Sequence, residues 1–495
     1  MKTKVECASL TDFKCDLLVV NAFEGAKQLN GAAAAADKAL GGLISKLVRE
    51  GEIDGKLGKV TIIHCQDGLK AGKVAVVGLG KREKFDLEAV RAVSSAAIKQ
   101  AREIKAKVVA TINHGAGLGG LRVEEAAKAV VEGAVLGLYK FAGYAKEKEE
   151  PDFEVEQLVI VECDRKKIGA LQRGAELGRI IAEAENHARD LVNAPSNKMT
   201  PTAFAKLSRR IAKINNLKFT ELDPKTEGME AIWSVARGSD EPPRLVALEY
   251  TGNPKSKEKI ALIGKGITFD SGGISLKPSR KMYEMKCDMA GAAAVLGVMS
   301  LLSDLKPKKN VLGVIPLTEN MPSGHATKPG DVAGSLSGLT IEVINTDAEG
   351  RMILADALTY AKKRGATQLI DIATLTGGCI VALGDVATGV IGNDQKLLDK
   401  IIAAGNRCGQ RMWQLPLYEE YKESLKSQLA DIKNTGETGK AQPSTGAAFL
   451  AKFAEDTPWV HLDIAGTAYL NKERGYLPEG ATGVPVRTLI EWLNS

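Results

Sequence analysis

Histidine is scarce in this chain, five residues in 495, and they are scattered: His64, His114, His187, His325 and His461. No HExxH, His-x-His or paired His/Cys ladder occurs, which excludes the common imidazole and thiolate zinc signatures. Cysteine is also sparse: Cys7, Cys15, Cys65, Cys163, Cys287, Cys379 and Cys408 are seven, an odd number, widely spaced and without a CxxC. That argues against a disulfide framework and for a reducing, cytoplasmic setting. Neither charge sign dominates. The 67 Lys+Arg against 61 Asp+Glu leave +6, which permits contact with nucleic acid without demanding it. Long apolar runs are missing too. The longest, Met289 to Leu302, is too short and too rich in Gly and Ala to cross a bilayer and reads as a buried helix. Asp12, Lys14 and Asp16 interrupt any N-terminal signal segment. The expectation is a cytoplasmic protein with no membrane partner.

What is present is the composition of a folded protein, 44% hydrophobic and 26% charged, at a length that calls for two or more domains. Strand-like runs at Asp16–Asn21, Val60–His64, Val74–Gly78 and Val108–Ile112 alternate with helical patterns at Asp86–Lys105 and Val123–Leu138. A charged stretch, Lys146 to Asp152, precedes one more strand, Gln157–Cys163. A long helix then runs from about Lys167 to Val192 and stops at Asn193-Ala-Pro-Ser-Asn-Lys-Met-Thr-Pro201. Residues 1–165 are therefore expected to form a smaller α/β domain, 166–193 a connecting helix, and 194–495 a larger catalytic α/β domain.

In that larger part, strands are expected at Leu245–Thr251, Ile260–Gly264, Val311–Leu317, Leu339–Ile344, Leu369–Ala373, Val386–Ile391 and Val460–Ile464, with helices at Asp288–Leu302, Gly350–Lys363 and Ser444–Glu455. Aliphatic strands between helices imply a mainly parallel central sheet covered on both faces.

Three segments could carry chemistry. Ile263-Gly-Lys-Gly-Ile-Thr-Phe-Asp-Ser-Gly-Gly273 places Lys265 and Asp270 in a Gly-rich turn past a strand, where α/β sheets bind ligands. A surface Lys and a capping Asp are the plainer reading, and the phosphate-loop spacing is absent. Thr340-Ile-Glu-Val-Ile-Asn-Thr-Asp-Ala-Glu-Gly-Arg351 runs a strand into Asp347, Glu349 and Arg351. Acids complementing a helix dipole would explain it equally. Asp288 heads a Gly/Ala-rich helix, where an N-cap is the alternative, and Gly291 permits close backbone approach. Together, Asp270, Asp288, Asp347 and Glu349 supply four negative charges. Without metal they would repel one another and force protonation. Two divalent cations neutralise them if Lys265 binds as an amine, and no histidine is needed. Such a pair can activate water, while Lys277 and Arg351 remain as cations to stabilise developing negative charge.

Asn345-Thr-Asp-Ala-Glu-Gly-Arg351 and Gly264-Lys-Gly-Ile-Thr-Phe-Asp-Ser-Gly-Gly273 resemble the leucyl (cytosol) aminopeptidase family. So do Asn193-Ala-Pro-Ser-Asn197, Asp371-Ile-Ala-Thr-Leu-Thr-Gly377 and Trp459-Val-His-Leu-Asp-Ile-Ala-Gly466, whereas the N-terminal part matches by size and α/β pattern, a macro-like domain. The resemblance implies an enzyme that releases N-terminal residues, Leu preferred but broadly, from peptides with a free N-terminus. It implies two divalent ions per subunit, Mn2+ or Zn2+. Asp270, Asp347 and Glu349 would hold one, and Lys265, Asp270, Asp288 and Glu349 the other. Lys277 is implied as the electrophile, and Arg351 as the holder of a bicarbonate general base. Met285, Asn345, Thr374, Leu375, Gly377, Ala465 and Ala468 are implied as the substrate pocket, and a homohexamer as the assembly. The stretch Lys433–Pro443 departs from the family pattern. The rivals are a two-metal hydrolase of other substrates, such as a phosphoesterase, and a DNA-binding or regulatory role on the same fold. Val74–Gly80 lacks the third glycine of a dinucleotide fingerprint, the 114–120 glycine loop reads as a flexible loop before an anion site, and His461 reads as a core or near-site histidine.

Overall fold

The computed structural model describes residues 1–65, 68–117, 119–145, 153–437 and 439–495. The charged stretch 146–152 lies outside the described residues, as do Leu118 of the 114–120 loop and Thr438 of the 433–443 stretch. The chain divides into two compact units, Met1–Glu183 with Lys472–Pro478, and Ala184–Asn471 with Glu479–Ser495. The division falls within the helix Ile168–Asn193.

In the first unit, β1 (Lys2–Cys7), β2 (Cys15–Ala22), β3 (Val60–His64), β4 (Ala71–Gly78), β5 (Val108–Thr111) and β6 (Gln157–Glu162) form one sheet in the order β1-β6-β5-β2-β4-β3. All neighbours are parallel except β3 and β4. The two-residue period of a strand divides β2 between two cores. Leu17 and Val19 pack with Val90, Val93 and Val130 on one face, and Leu18 and Val20 with Ala33, Ala36 and Ile44 on the other. Asp86 caps helix Leu87–Glu103 as its position predicts, accepting from the Ala89 amide at 2.9 Å. The β4 strand leads into a 3-10 turn, Arg82–Lys84, rather than a helix opening on glycine, so the partial dinucleotide fingerprint has no helix to bind against.

The second unit is built on a nine-stranded sheet. Its strands are β7 (Lys218–Leu222), β8 (Arg244–Thr251), β9 (Lys259–Gly264), β10 (Gly266–Asp270), β11 (Asn310–Asn320), β14 (Gln368–Ala373), β15 (Thr388–Gly392), β16 (Met412–Gln414) and β18 (Trp459–Asp463), and a separate small sheet joins β12 (Val332–Ala333), β13 (Ile341–Glu342) and β17 (Ile432–Lys433). The centre, β18-β14-β9-β11, is parallel, and antiparallel β15 and β8 flank it. Helix Glu349–Lys363 covers one face with Ile353, Leu354, Ala357 and Leu358 against Ala261, Ile263, Leu312 and Val314. Helix Ala290–Met299, buried at every position, packs against β9, β11 and β14. The helical run Met282–Leu305 has the length and hydropathy to cross a membrane, but 78% of its most apolar window is buried inside the protein. It is a core helix.

Two local expectations are corrected, and one alternative falls. The Gly264–Gly273 segment is not a single turn. The chain breaks its ladder at Lys265, resumes as β10, which shifts register against β11 between Ile267 and Asp270, and turns at Gly272 and Gly273, both with positive φ. Leu339–Ile344 keeps only Ile341–Glu342 as strand, because the Asn434 side-chain oxygen takes the Ile344 and Asn345 amides (2.8 and 3.3 Å) that a longer ladder would use. Asp288 is not a helix cap. It stands next to last in a 3-10 segment, Met282–Met289; Met289 precedes the α-helix without a side-chain cap, and the Asp288 carboxylate turns to Lys265 and Thr374.

Gly291 has the close-approach role its sequence context suggests: a Cβ there would lie 2.1 Å from the Ile372 carbonyl oxygen and 2.9 Å from the Lys265 amide nitrogen. Gly291→Ala is therefore expected to destabilise the protein by about 1–3 kcal/mol and to lower activity by displacing Lys265. Denaturant melts and turnover of the same preparation check this.

Candidate active site

The functional residues gather at the carboxyl ends of the central strands, as an open α/β sheet favours. Lys265 sits at the junction of β9 and β10, held by its amide to the Ile372 oxygen (3.0 Å) and by its own carbonyl to the Ala292 amide (2.9 Å). Its buried ammonium lies 2.8 Å from both Asp288 Oδ1 and Glu349 Oε1 and donates to the Thr374 carbonyl at 2.9 Å. Gly350 leaves room for it, since a Cβ there would meet the Lys265 side chain at 2.6 Å.

Asp270 ends β10. Its Oδ1 accepts from the Gly272 amide (2.9 Å) and Asn320 Nδ2 (2.8 Å), and its Oδ2 lies 2.8 Å from Lys277 Nζ. Lys277 also pairs with Asp347 Oδ1 at 2.5 Å. One carboxylate oxygen each from Asp270, Asp347 and Glu349 lies within 4.8 Å of the others. The structure thus brings all four expected acids and both lysines into one cluster.

Its electrostatics are those of a site built around positive charge. Burial, then Glu349, raises the Asp270 carboxyl against the pull of Lys277 and Lys265. Burial raises Asp288 well above the carboxylate range, and raises Asp347 to about 6 with help from Asp270. Glu349 differs: burial pushes it up, but Lys265 and Lys277 outweigh that and hold it low. Both lysines are raised. Burial opposes their charge, but Asp288 and Glu349 at Lys265, and Asp270 and Glu349 at Lys277, more than compensate. Asp288 Oδ2 is buried with no hydrogen-bond partner. That orphaned oxygen, beside three converging carboxylates, gives hard oxygen donors of the kind divalent cations take. The residues fit a metal centre.

Arg351 lies in the first turn of helix Glu349–Lys363, buried, with Nη1 donating to the Asn434 carbonyl at 2.8 Å and Nε without a partner. Burial lowers its guanidinium to about 10. Asn345 braces the same turn: its Oδ1 accepts from the Asp347 amide at 2.9 Å and its carbonyl from Asn434 Nδ2 at 2.7 Å. Thr374 Oγ1 donates to Asp288 Oδ1 at 2.6 Å. The amides of Leu375 and Ala465 both donate to Asp463 Oδ1 at 3.2 Å, and Thr376 Oγ1 to its Oδ2 at 2.7 Å. Gly377 opens the helix Gly377–Leu383, Met285 lies in the 3-10 segment, and Ala468 is 2% exposed. His461 is a core histidine, with Nδ1 2.6 Å from Asp371 Oδ1, while Trp459 Nε1 donates to Oδ2 of the same carboxylate. Burial pushes the Cys287 thiol up to about 12, which leaves it inert.

Sequence reasoning passed over three residues that hold this site. Asn320 orients Asp270, Asn434 ties the Asp347 turn to Arg351, and Asp463 gathers the 375–376 and 465 segments. Asn434 and Asp463 carried a signal, the first standing in the stretch flagged as unlike the family and the second in the Trp459–Gly466 motif that resembles it.

Comparison with known proteins gives a consistent result. Residues 186–490 match the family described as the cytosol aminopeptidase family, catalytic domain, and residues 19–148 match its N-terminal domain. A probable cytosol aminopeptidase of Alkaliphilus oremlandii is 42% identical over 498 residues, covering 100% of this chain and 99% of that protein. Among solved structures, a mutant of tomato leucine aminopeptidase aligns with TM-score 0.88 and 31% identity over 100% of this chain and 96% of that one. The bottromycin maturation enzyme BotP in complex with Mn aligns with TM-score 0.85 and 35% identity over 97% and 99%. With its site of four acids and two lysines, this chain belongs to the cytosol aminopeptidase family and is a metal-dependent aminopeptidase.

Proposed function

We propose that this enzyme releases N-terminal residues from peptides with two divalent cations, favouring Leu while accepting other apolar side chains. The observation that carries the reading is the convergence of Asp270, Asp347 and Glu349 within 4.8 Å, with Lys265 and Asp288 against the same cluster. In this reading Asp270, Asp347 and Glu349 hold one ion, and Lys265, Asp270, Asp288 and Glu349 hold the other, either Mn2+ or Zn2+. The ions supply Lewis acidity to water and to the scissile carbonyl when bound. Lys277, 22% exposed, gives up its pairs with Asp270 and Asp347 and donates from Nζ to the carbonyl oxygen as charge develops there. Arg351 holds a bicarbonate through its unpartnered Nε, which provides a general base where no histidine stands.

The pocket for the leaving residue's side chain is lined by Met285, Asn345, Thr374, Leu375, Gly377, Ala465 and Ala468. Such a lining is mostly apolar. One methylene more or less shifts preference by only about 10–200-fold, so selectivity is broad. The likeness to a bottromycin maturation enzyme leaves room for substrates other than leucyl peptides. The relatives' names favour a cytosolic location, and the family resemblance favours a homohexamer.

The direct test is cleavage of leucyl-p-nitroanilide, its loss on chelation, and its return with Mn2+ or Zn2+; hydrolysis of a phosphate ester instead would overturn the assignment. Glu349→Gln removes a ligand shared by both ions, so metal content and turnover should fall together, as metal analysis of the purified variant would record. Lys277→Ala should lower kcat by roughly 100-fold or more at nearly full metal occupancy; equal losses of both would deny Lys277 its catalytic role. Protonation competes with metal at Asp347, whose carboxyl titrates near 6, and at Lys265, whose amine is held protonated. Loading the metal-free protein must therefore release protons, and affinity must rise with pH and collapse below about pH 6. Calorimetry in buffers of different ionisation enthalpy measures that release.

A further inference from the structure

The amino ends of the central strands, opposite the acidic cluster, carry a second site of the reverse charge. A cavity of about 670 Å3 opens there, against Ile260 of β9, Asn310 of β11, Gln368 of β14 and Pro458 just before β18. Its size lies in the range of small-molecule sites. The far wall is helix Gln395–Arg407, which lines the cavity with Leu397 and with Lys396, Lys400, Ala403 and Arg407 at spacings of three and four. At 100° per residue that spacing falls within an arc of about 60°, so one helix face turns cations to the cavity. Leu398, Ile401 and Ala404, on the rest of the helix, are buried. Lys308 and Lys309 add two more ammonium groups, while Glu258 and Asp394 are the acidic side chains of the lining and Ser495 adds a main-chain oxygen to it.

These charges are incompletely answered. Arg407 is paired with Glu491 at 2.9 Å, and the Asp394 carboxylate caps its own helix through the Leu397 amide. Lys309 Nζ donates to the backbone oxygens of Trp492 (3.1 Å) and Ser495 (3.2 Å) and lies 5.6 Å from the Trp492 ring centroid. Burial, then the Lys400 ammonium, lowers the Lys309 amine against the pull of Glu258. The neutral wall is rigid: Asn310 Nδ2 donates to the carbonyls of Asn253, Ser256 and Glu258, and its Oδ1 accepts from the Asn253 amide.

We infer that this cavity binds a condensed phosphate chain, with Lys308, Lys309, Lys396 and Lys400 distributed along successive phosphate groups. Lysines bind phosphate oxygens as point charges, and the one arginine here is engaged with Glu491. Lys396 and Lys400 are separated by about 6 Å along the helix axis, which spans more than one phosphate group. Lys309 lies over the Trp492 ring, which is itself only 4% exposed, so the phosphate chain is the recognised part whether free or attached to a nucleoside.

The test titrates metal-loaded enzyme at about 150 mM salt with tripolyphosphate, ATP and orthophosphate, each offered with equimolar Mg2+ to suppress chelation of the catalytic ions. Saturable binding of tripolyphosphate and ATP with similar affinity, and much weaker binding of orthophosphate, is the expected result. In the doubly substituted Lys396→Glu, Lys400→Glu protein that affinity should fall at least tenfold, with leucyl-p-nitroanilide turnover and melting temperature unchanged in the absence of ligand. Equal affinity in the variant, binding of ATP alone, or no saturation at millimolar tripolyphosphate would each overturn the proposal.

Discussion

A buried ammonium governs the catalytic unit. Lys265 has almost no access to solvent, and an isolated charge there would cost several kcal/mol. It is retained because Asp288 and Glu349 stand 2.8 Å away on two different helical segments, and because the Thr374 carbonyl takes a third hydrogen bond. Each partner is itself constrained by that demand. Asp288 is drawn off the helix it might have capped, and Gly291 and Gly350 must remain without side chains so that the helices reach the strand junction. Removing any one carboxylate leaves the remainder miscompensated in a low-dielectric pocket, which is why these residues behave as a unit.

Much of this was legible because it depends on local order. The central strands are aliphatic runs that fill a two-sided parallel sheet, and Lys265, Asp270, Asp347 and Glu349 fall in motifs next to strand ends. The details lost were those where a distant side chain replaces a local backbone partner. Nothing between residues 339 and 344 announces that Asn434, about ninety positions away, will take the Ile344 and Asn345 amides and end the ladder. Asn320 is invisible for a related reason: it ends a strand that reads as ordinary core, and its function depends on β10 lying alongside in parallel register. For Asp288, propensity offers helix capping as the alternative to metal ligation, and the charge of Lys265 draws the carboxylate away from that cap.

The two ends of the central sheet are of opposite electrical character. Carboxylates crowd the carboxyl ends of the strands, and lysines line the cavity at their amino ends. A net charge of +6 averages these regions away. Global charge says little about either ligand; the sheet's polarity, which separates the two sets by the length of the strands, says much more.

The Asp463 carboxylate ties together the amides of Leu375 and Ala465 and the Thr376 hydroxyl, while neighbouring Thr374 reaches Asp288 and Lys265. On the proposed assignment, recognition of the departing residue and placement of the metal ligands share one short length of chain. A catalyst wired this way resists being retuned in parts. Enlarging the pocket through residues 374–377 also moves the ligand framework, so selection for a new side chain would carry a cost in rate unless the change enters from the Met285 or Ala468 side instead.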